Sequence, residues 1–248
     1  KALEAFRRAG NRVRQGLILS NVGGVCYWEG RWDDAMSYYE RGRDESMKVG
    51  NLVNAAMASM NIAEILTDRG EHTEAESTLQ KTLPVWKSSE YRYFQGACHW
   101  MLGRVSLRAN RLDEALSRFA EAKKMLAEVG AEAEVQDVDA RVAECRMLKG
   151  DADGALALAD EVLGRTESAD AIERLKPQLN RVRGYAMLLQ SDPFGAREAF
   201  EASLAIARER KERFEIALTL NALAELDVKS GLVEHVVAHH EHLDRQPR

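Results

Sequence analysis

Small and apolar residues recur along this chain with a period of about 40 residues. An alanine marks one position of the period at Ala35, Ala75, Ala115, Ala155 and Ala196, so the spacings are 40, 40, 40 and 41 residues. Five residues before the first four alanines stands a residue that tolerates a positive φ angle, namely Gly30, Gly70, Asn110 or Gly150. The pattern predicts a helix, a tight turn and a second helix in every period.

The residues on either side of each turn are spaced as on one face of a helix. Four residues after the alanine comes a larger side chain at Tyr39, Leu79, Phe119 and Phe200, and the small Ala159 in the fourth repeat. Before the turn a small residue recurs at Gly23, Ala63, Gly103 and Ala143, where it would let the two helices of a hairpin approach closely. The predicted first helices span 13–29, 52–69, 92–109, 132–149, 171–190 and 213–230; the second helices span 33–48, 73–87, 113–128, 151–163, 193–209 and 232–243.

The period therefore predicts an all-α fold of about six stacked hairpins in a single domain over residues 1–248. The repeats cover about 12–50, 51–90, 91–130, 131–169, 170–211 and 212–243. Residues 1–10 fit the end of a preceding, truncated repeat. Because no methionine opens the chain, we expect the sequence to be a piece of a longer protein.

Residues 61–70, followed by Glu74 and Ala75, resemble the tetratricopeptide pattern of Asn-Leu-Gly, a later Gly and then Glu-Ala. The resemblance covers essentially the whole chain, with a period of 40 in place of the usual ~34 residues, and it implies a right-handed α-solenoid. This longer variety is similar to the repeat arm that follows an ATPase module in bacterial signalling proteins of the adenylate/guanylate cyclase and maltose-regulator classes. Residues 26–35 and 183–189 are most similar to the cyclase group.

Composition narrows the range of partners and cellular settings. The net charge is −5, and basic residues are mixed with acidic ones, which argues against nucleic acid as a direct partner. No apolar run approaches the ~18 residues of a membrane span, so we expect a cytoplasmic protein. Cys26, Cys98 and Cys145 are far apart within apolar helical patterns, which favours buried, unpaired thiols.

The candidate binding surface is the concave groove that the first helices of such repeats form. The resemblance places these residues in the groove: Tyr27, Trp28, Met57, Met60, Glu64, Trp100, Arg104, Arg108, Glu144, Met147, Arg181, Tyr185 and Leu188. Aromatic, Met and Arg side chains carry much of the energy of protein interfaces. The alternative is that the aromatic and Met side chains only fill space between successive hairpins.

Charged residues within this set also have a structural explanation. Glu64, Arg104 and Glu144 share one register in three successive repeats, so neighbouring helices would present alternating charges. We favour ion pairs between repeats as the role of these residues over a clamp on a ligand.

The remaining patterns do not indicate chemistry. His235, His239, His240 and His242 cluster near the C-terminus, but two histidines at i, i+4 are too few for a zinc site, and a solvated end helix is favoured. No nucleotide-binding loop and no nucleophile elbow is present. We therefore predict that the chain is not an enzyme and holds no cofactor or metal, although an upstream part could carry a cyclase or ATPase domain.

Together these features predict a protein-interaction or sensor module of a bacterial signalling or regulatory protein. It would bind a peptide, a partner domain or a small effector, or the upstream domains of its own chain. One alternative is a structural arm that oligomerises, for example as a homodimer, or packs on its own ATPase or cyclase domain. The other is an enzyme built on a helical scaffold.

Overall fold

The structure is a computed structural model that describes residue 6 and residues 8–165 and 169–229. Eleven helices run between Arg12 and Lys229, and the described residues include no strand. They are α1 (Arg12–Trp28), α2 (Trp32–Lys48), α3 (Leu52–Asp68), α4 (His72–Ser88), α5 (Arg92–Arg108), α6 (Leu112–Glu128), α7 (Glu132–Leu148), α8 (Ala152–Leu163), α9 (Ala169–Leu189), α10 (Pro193–Glu209) and α11 (Arg213–Lys229). The predicted all-α fold is confirmed, and each predicted helix in these ranges ends within two residues of its predicted bounds.

Contacts divide the helices into two compact units, residues 1–131 and 132–248. In the first unit α1 packs on α2, α3 on α4 and α5 on α6, and α3 also contacts α1 and α5. In the second unit α7 packs on α8 and α9 on α10, and α9 also contacts α7 and α11. Each unit is thus a stack of helical hairpins. That the repeats form a single domain, with the boundaries given above, stays a prediction.

Three predictions lie mainly or wholly outside the described residues. The first is the predicted helix over 232–243, and the second is the cluster of His235, His239, His240 and His242 within it. The third is the truncated repeat at residues 1–10, of which residues 1–5 and 7 are not described.

The turn within each hairpin uses a left-handed residue, as the sequence predicts. Gly30, Gly70, Asn110 and Gly150 have φ angles of 77°, 83°, 57° and 83°. The connections between hairpins use the same device, which the sequence analysis did not identify, with positive φ at Gly50, Glu90 and Gly130. A left-handed residue therefore ends a helix every 20 residues from residue 10 to residue 150.

Side-chain caps fix the start of several helices. Asn11 and Asn51 accept hydrogen bonds from the backbone N–H groups three residues later, at 3.1 and 3.0 Å. Asp151 and Asp192 accept from Gly154 and Gly195 in the same way, both at 2.9 Å. Each cap satisfies one of the backbone donors that the first turn of a helix leaves unpaired.

The small residues of the period lie where helices pack most closely. The five alanines that define the period are fully buried. A Cβ atom added at Gly23 would lie 2.8 Å from the Tyr39 ring, and one at Gly103 would lie 2.5 Å from the Phe119 ring. The predicted close approach of the two helices in a hairpin is therefore confirmed at these positions.

The three cysteines are free and buried, as predicted. Burial raises the pKa of Cys98, and it raises the pKa of Cys145 to about 12. Both thiols therefore stay protonated at neutral pH and pack as small apolar side chains.

Candidate functional site

The predicted groove residues of the first unit lie on its three first helices. Tyr27 and Trp28 end α1, Met57, Met60 and Glu64 lie on α3, and Trp100, Arg104 and Arg108 lie on α5. Because α3 contacts both α1 and α5, these helices present a common surface, called here the first-helix face.

A hydrogen-bonded ion network links the three helices of this face. Arg104 donates to Glu64 Oε1 at 2.8 Å and to Asp68 Oδ1 at 3.2 Å. The Tyr27 hydroxyl donates to the other oxygen of Asp68 at 2.9 Å. The network therefore joins α1, α3 and α5, and the ion pair that the register of Glu64 and Arg104 predicted is present.

Asp68 was missed by the sequence analysis although it is central to the network. It lies four residues after Glu64, on the same face of α3. That spacing was the available signal, but it did not show that both carboxylates meet one guanidinium, which is 40 residues from Glu64 and 36 from Asp68.

Aromatic rings surround the network. The Arg104 guanidinium lies over the Trp100 ring, 5.1 Å from its centroid, which is a cation–π geometry. Tyr27 stacks on Trp32 with the centroids 6.3 Å apart, and its ring meets the edge of Trp28 at 5.7 Å. The Trp28 side of this cluster faces solvent, since that residue is 84% exposed.

Burial and charge act together on the network. Burial is the main reason that the pKa of Tyr27 is raised, and the carboxylates of Glu64 and Asp68 raise it further. Burial alone would lower the pKa of Arg104, but the same two carboxylates outweigh it and raise the pKa. The hydroxyl therefore stays a hydrogen-bond donor and the guanidinium stays charged at all physiological pH values.

The other predicted residues of this face differ in exposure. Met60 is 8% exposed and belongs to the hydrophobic core of the first unit, so the space-filling interpretation applies to it. Met57 and Arg108 are exposed. Trp28, Met57 and Arg108 are thus exposed members of the face, while Arg104 is engaged in ion pairs with Glu64 and Asp68.

In the second unit Glu144 and its neighbours form a separate polar contact. Glu144 accepts from Arg141 at 2.8 Å and from Gln178 at 3.2 Å, so this charge is also paired. Met147 and Leu188 are half-buried and pack against hydrophobic clusters of their unit.

Arg181 and Tyr185 of α9 reach towards α11. Arg181 donates to Glu215 at 2.5 Å, and the Tyr185 hydroxyl donates to Glu225 at 3.3 Å. The Tyr185 ring also meets the edge of Phe200 at 5.1 Å, and its burial, with the nearby Glu225, raises its pKa to about 12. That the predicted residues of both units line one continuous groove stays a prediction.

The described residues include no group of three or more His, Cys, Asp or Glu side chains that could hold a metal ion. Within the same residues, no helix combines the length and the apolar character that crossing a bilayer requires.

Part of the sequence matches a known repeat family. Residues 54–128 match the tetratricopeptide repeat family model. No curated protein sequence shows a significant match to the chain.

Solved structures of helical-repeat proteins superpose on most of the chain. The Rap conjugation gene regulator of plasmid pLS20, solved with the Phr* peptide, has a TM-score of 0.70 at 16% identity over 88% of this chain and 58% of its own. A Rap protein complexed with competence and sporulation factor gives 0.64 at 16% identity, over 92% and 69%. A tetratricopeptide protein of Thermus thermophilus gives 0.62 at 16% identity, over 84% and 99%. The matched region is thus little more than half of the first of these proteins, and the chain has the helical-repeat fold of all three.

Proposed function

We propose that the chain is a protein-interaction module that binds a peptide or an extended segment of a partner protein on the first-helix face. The observation that carries the proposal is the exposed Trp28 indole, whose neighbour Tyr27 is held by a partly buried ion network. Exposed tryptophans beside ordered polar groups are typical centres of interface energy. One similar structure was solved with the Phr* peptide bound, which supports a peptide as the ligand class.

In this proposal the side chains of the face have different roles. Trp28 and Met57 would contact the partner, because both are exposed and apolar. Arg104 would instead position Glu64 and Asp68, since it donates hydrogen bonds to both and stacks on Trp100. A preorganised face loses less conformational entropy when it binds.

Site-specific photo-crosslinking tests this assignment. A photoreactive amino acid is placed at position 28 of the full chain, and in a matched control at position 194. Phe194 is also 84% exposed and follows a turn, but belongs to the second unit. We expect one dominant protein partner in extracts of the source organism from position 28 and none from position 194. Equal crosslinking at both positions would contradict the proposal.

We further infer that the module serves a cytoplasmic bacterial signalling protein with a cyclase or ATPase domain. The support is the similarity of residues 26–35 and 183–189 to the repeat arms of the cyclase class. Sequencing the gene upstream of the codon for Lys1 tests this context. An upstream region that encodes neither domain would contradict it.

A further inference from the structure

A pocket lies on the opposite side of the first unit, between two second helices. It has a volume of about 530 Å³ and lies between α4 and α6, with Leu102 of α5 at its base. Leu83 and Pro84 of α4 supply the other apolar side chains of its lining. A volume of this order suits a small organic molecule.

Two cationic side chains line the same pocket. Lys87 is exposed, and no residue of the described chain forms an ion pair with it. Arg118 has a long ion pair with Glu114, at 3.9 Å, which is beyond hydrogen-bond distance. Both cations therefore have donors available to a ligand, in contrast to the fully engaged Arg104 on the first-helix face.

A buried polar group lies beside the base of the pocket. His99 is 8% exposed and precedes Leu102 by three residues, on the same side of α5. Its Nδ1 atom is buried and has no hydrogen-bond partner among the described residues. Burial lowers the pKa of His99, the charges of Arg118 and Lys87 lower it further, and Glu121 acts in the opposite direction. The neutral form of the imidazole is therefore favoured at pH 7.

The helix that forms one wall also has an interrupted backbone at this point. Pro84 lies inside α4 and has no N–H group, so the carbonyl oxygen of Gln80 lacks its usual helical donor. Gln80 and Pro84 both line the pocket. The site therefore combines an apolar base with two cations.

We propose that this pocket binds a small carboxylic acid with an apolar body, such as a medium-chain fatty acid. The carboxylate would pair with Lys87 and Arg118, and the apolar body would cover Leu83, Pro84 and Leu102. Charge complementarity carries this choice, because the pocket offers two cations beside Leu83, Pro84 and Leu102. Its remaining lining side chains, Gln80 and Ser88, already donate hydrogen bonds to Glu76 and to the Val85 carbonyl. A single charged head on an apolar body matches that arrangement. The site is independent of the first-helix face and of the function proposed for it.

Titration of the full chain with octanoate, followed by the methyl NMR signals of Leu83 and Leu102, tests the proposal. We expect saturable shifts at these methyl groups. Octanol, which has no charge, should bind at least about tenfold more weakly than octanoate, because it cannot form the charge-assisted hydrogen bonds. The double variant with Lys87→Glu and Arg118→Glu should lower the affinity for octanoate by a similar factor or more.

Controls separate the pocket from general effects of charge or folding. Lys124→Glu changes one exposed charge elsewhere on α6 and should leave octanoate affinity unchanged. The neutral variant Lys87→Gln covers the case in which the double variant does not fold, and it should weaken binding severalfold. Equal affinity for octanol and octanoate, an equal loss in Lys124→Glu, or no saturation below about 10 mM would overturn the proposal.

Discussion

In three hairpins a glycine packs closely against an aromatic ring 16 residues later. The pairs are Gly23 with Tyr39, Gly103 with Phe119 and Gly184 with Phe200. In the second and fourth repeats the corresponding pairs are Ala63 with Leu79 and Ala143 with Ala159, all fully buried. Where alanine replaces the glycine, the residue 16 positions later is smaller than an aromatic ring. The side-chain volumes at the two positions therefore compensate for each other.

Gly103→Ala should lower the free energy of unfolding by roughly 1 to 3 kcal/mol, because the new methyl group would overlap the Phe119 ring. Phe119→Leu in the same chain should restore part of the loss by reproducing the Ala–Leu pair of the second repeat. Urea unfolding followed by circular dichroism measures both effects.

Gly24→Ala is the matched control, since its added Cβ would meet only the Tyr39 hydroxyl at 3.6 Å. It should be neutral or stabilising, because alanine favours helix over glycine. If Gly103→Ala were as stable as Gly24→Ala, the packing account would be wrong.

Arg104→Met should destabilise the first unit by roughly 2 to 4 kcal/mol, because it leaves two partly buried carboxylates without their cation. Arg31→Met is the comparison, since Arg31 also pairs with two carboxylates but on the exposed surface, and its unfolding curve should match that of the parent. Equal stability of the two variants would contradict the buried network.

Ionisation of the Tyr27 hydroxyl should affect stability only at high pH. Because burial raises its pKa above the value of 10.0 for an unburied tyrosine, the unfolded chain releases this proton first, and the free energy of unfolding falls as the pH rises past about 10. In Tyr27→Phe that fall should be shallower, by up to about 1.4 kcal/mol per pH unit. Identical slopes between pH 10 and 12 would contradict the buried position of the hydroxyl.

At the level of the elements, a 17-residue helix and a three-residue turn form the regular unit. Helices α1 to α7 are all 17 residues long, whereas α8 has 12 and α9 has 21. The turn glycines and Asn110 predicted the neighbouring helix ends well, because a left-handed residue acts on the residues next to it. The left-handed Glu90 could not be predicted, since its side chain gives no signal for that conformation.

Glu90→Gly should therefore stabilise the chain, by about 0.5 to 1 kcal/mol, because glycine removes the steric cost of a φ angle of 57°. Gly70→Ala is the reciprocal change at an equivalent turn, and it should destabilise by about 1 kcal/mol. Thermal melting of the two variants checks the signs, and a lower melting temperature for Glu90→Gly would refute this explanation.

For the whole molecule, the period predicted the helices and the ion pair of Glu64 with Arg104, but not the other contacts between repeats. Such contacts depend on how each helix is rotated about its axis. The period does not define that rotation, so it predicted neither the contact of Asp68 with Arg104 nor the pairing of Arg104 with two carboxylates. The division into two units also has no sequence signal. The turn before it ends in Gly130, whose φ angle of 68° resembles that of the other turns.

Two matched variants test whether the first-helix face is the binding surface, through their affinities for the crosslinked partner. By calorimetry on the purified full chain, Trp28→Ala should weaken binding by about 2 kcal/mol, roughly thirtyfold, while Phe194→Ala should bind as the parent does. Both side chains are equally exposed, so neither change should alter the fold. If Phe194→Ala lost affinity and Trp28→Ala did not, the first-helix face would not be the binding surface.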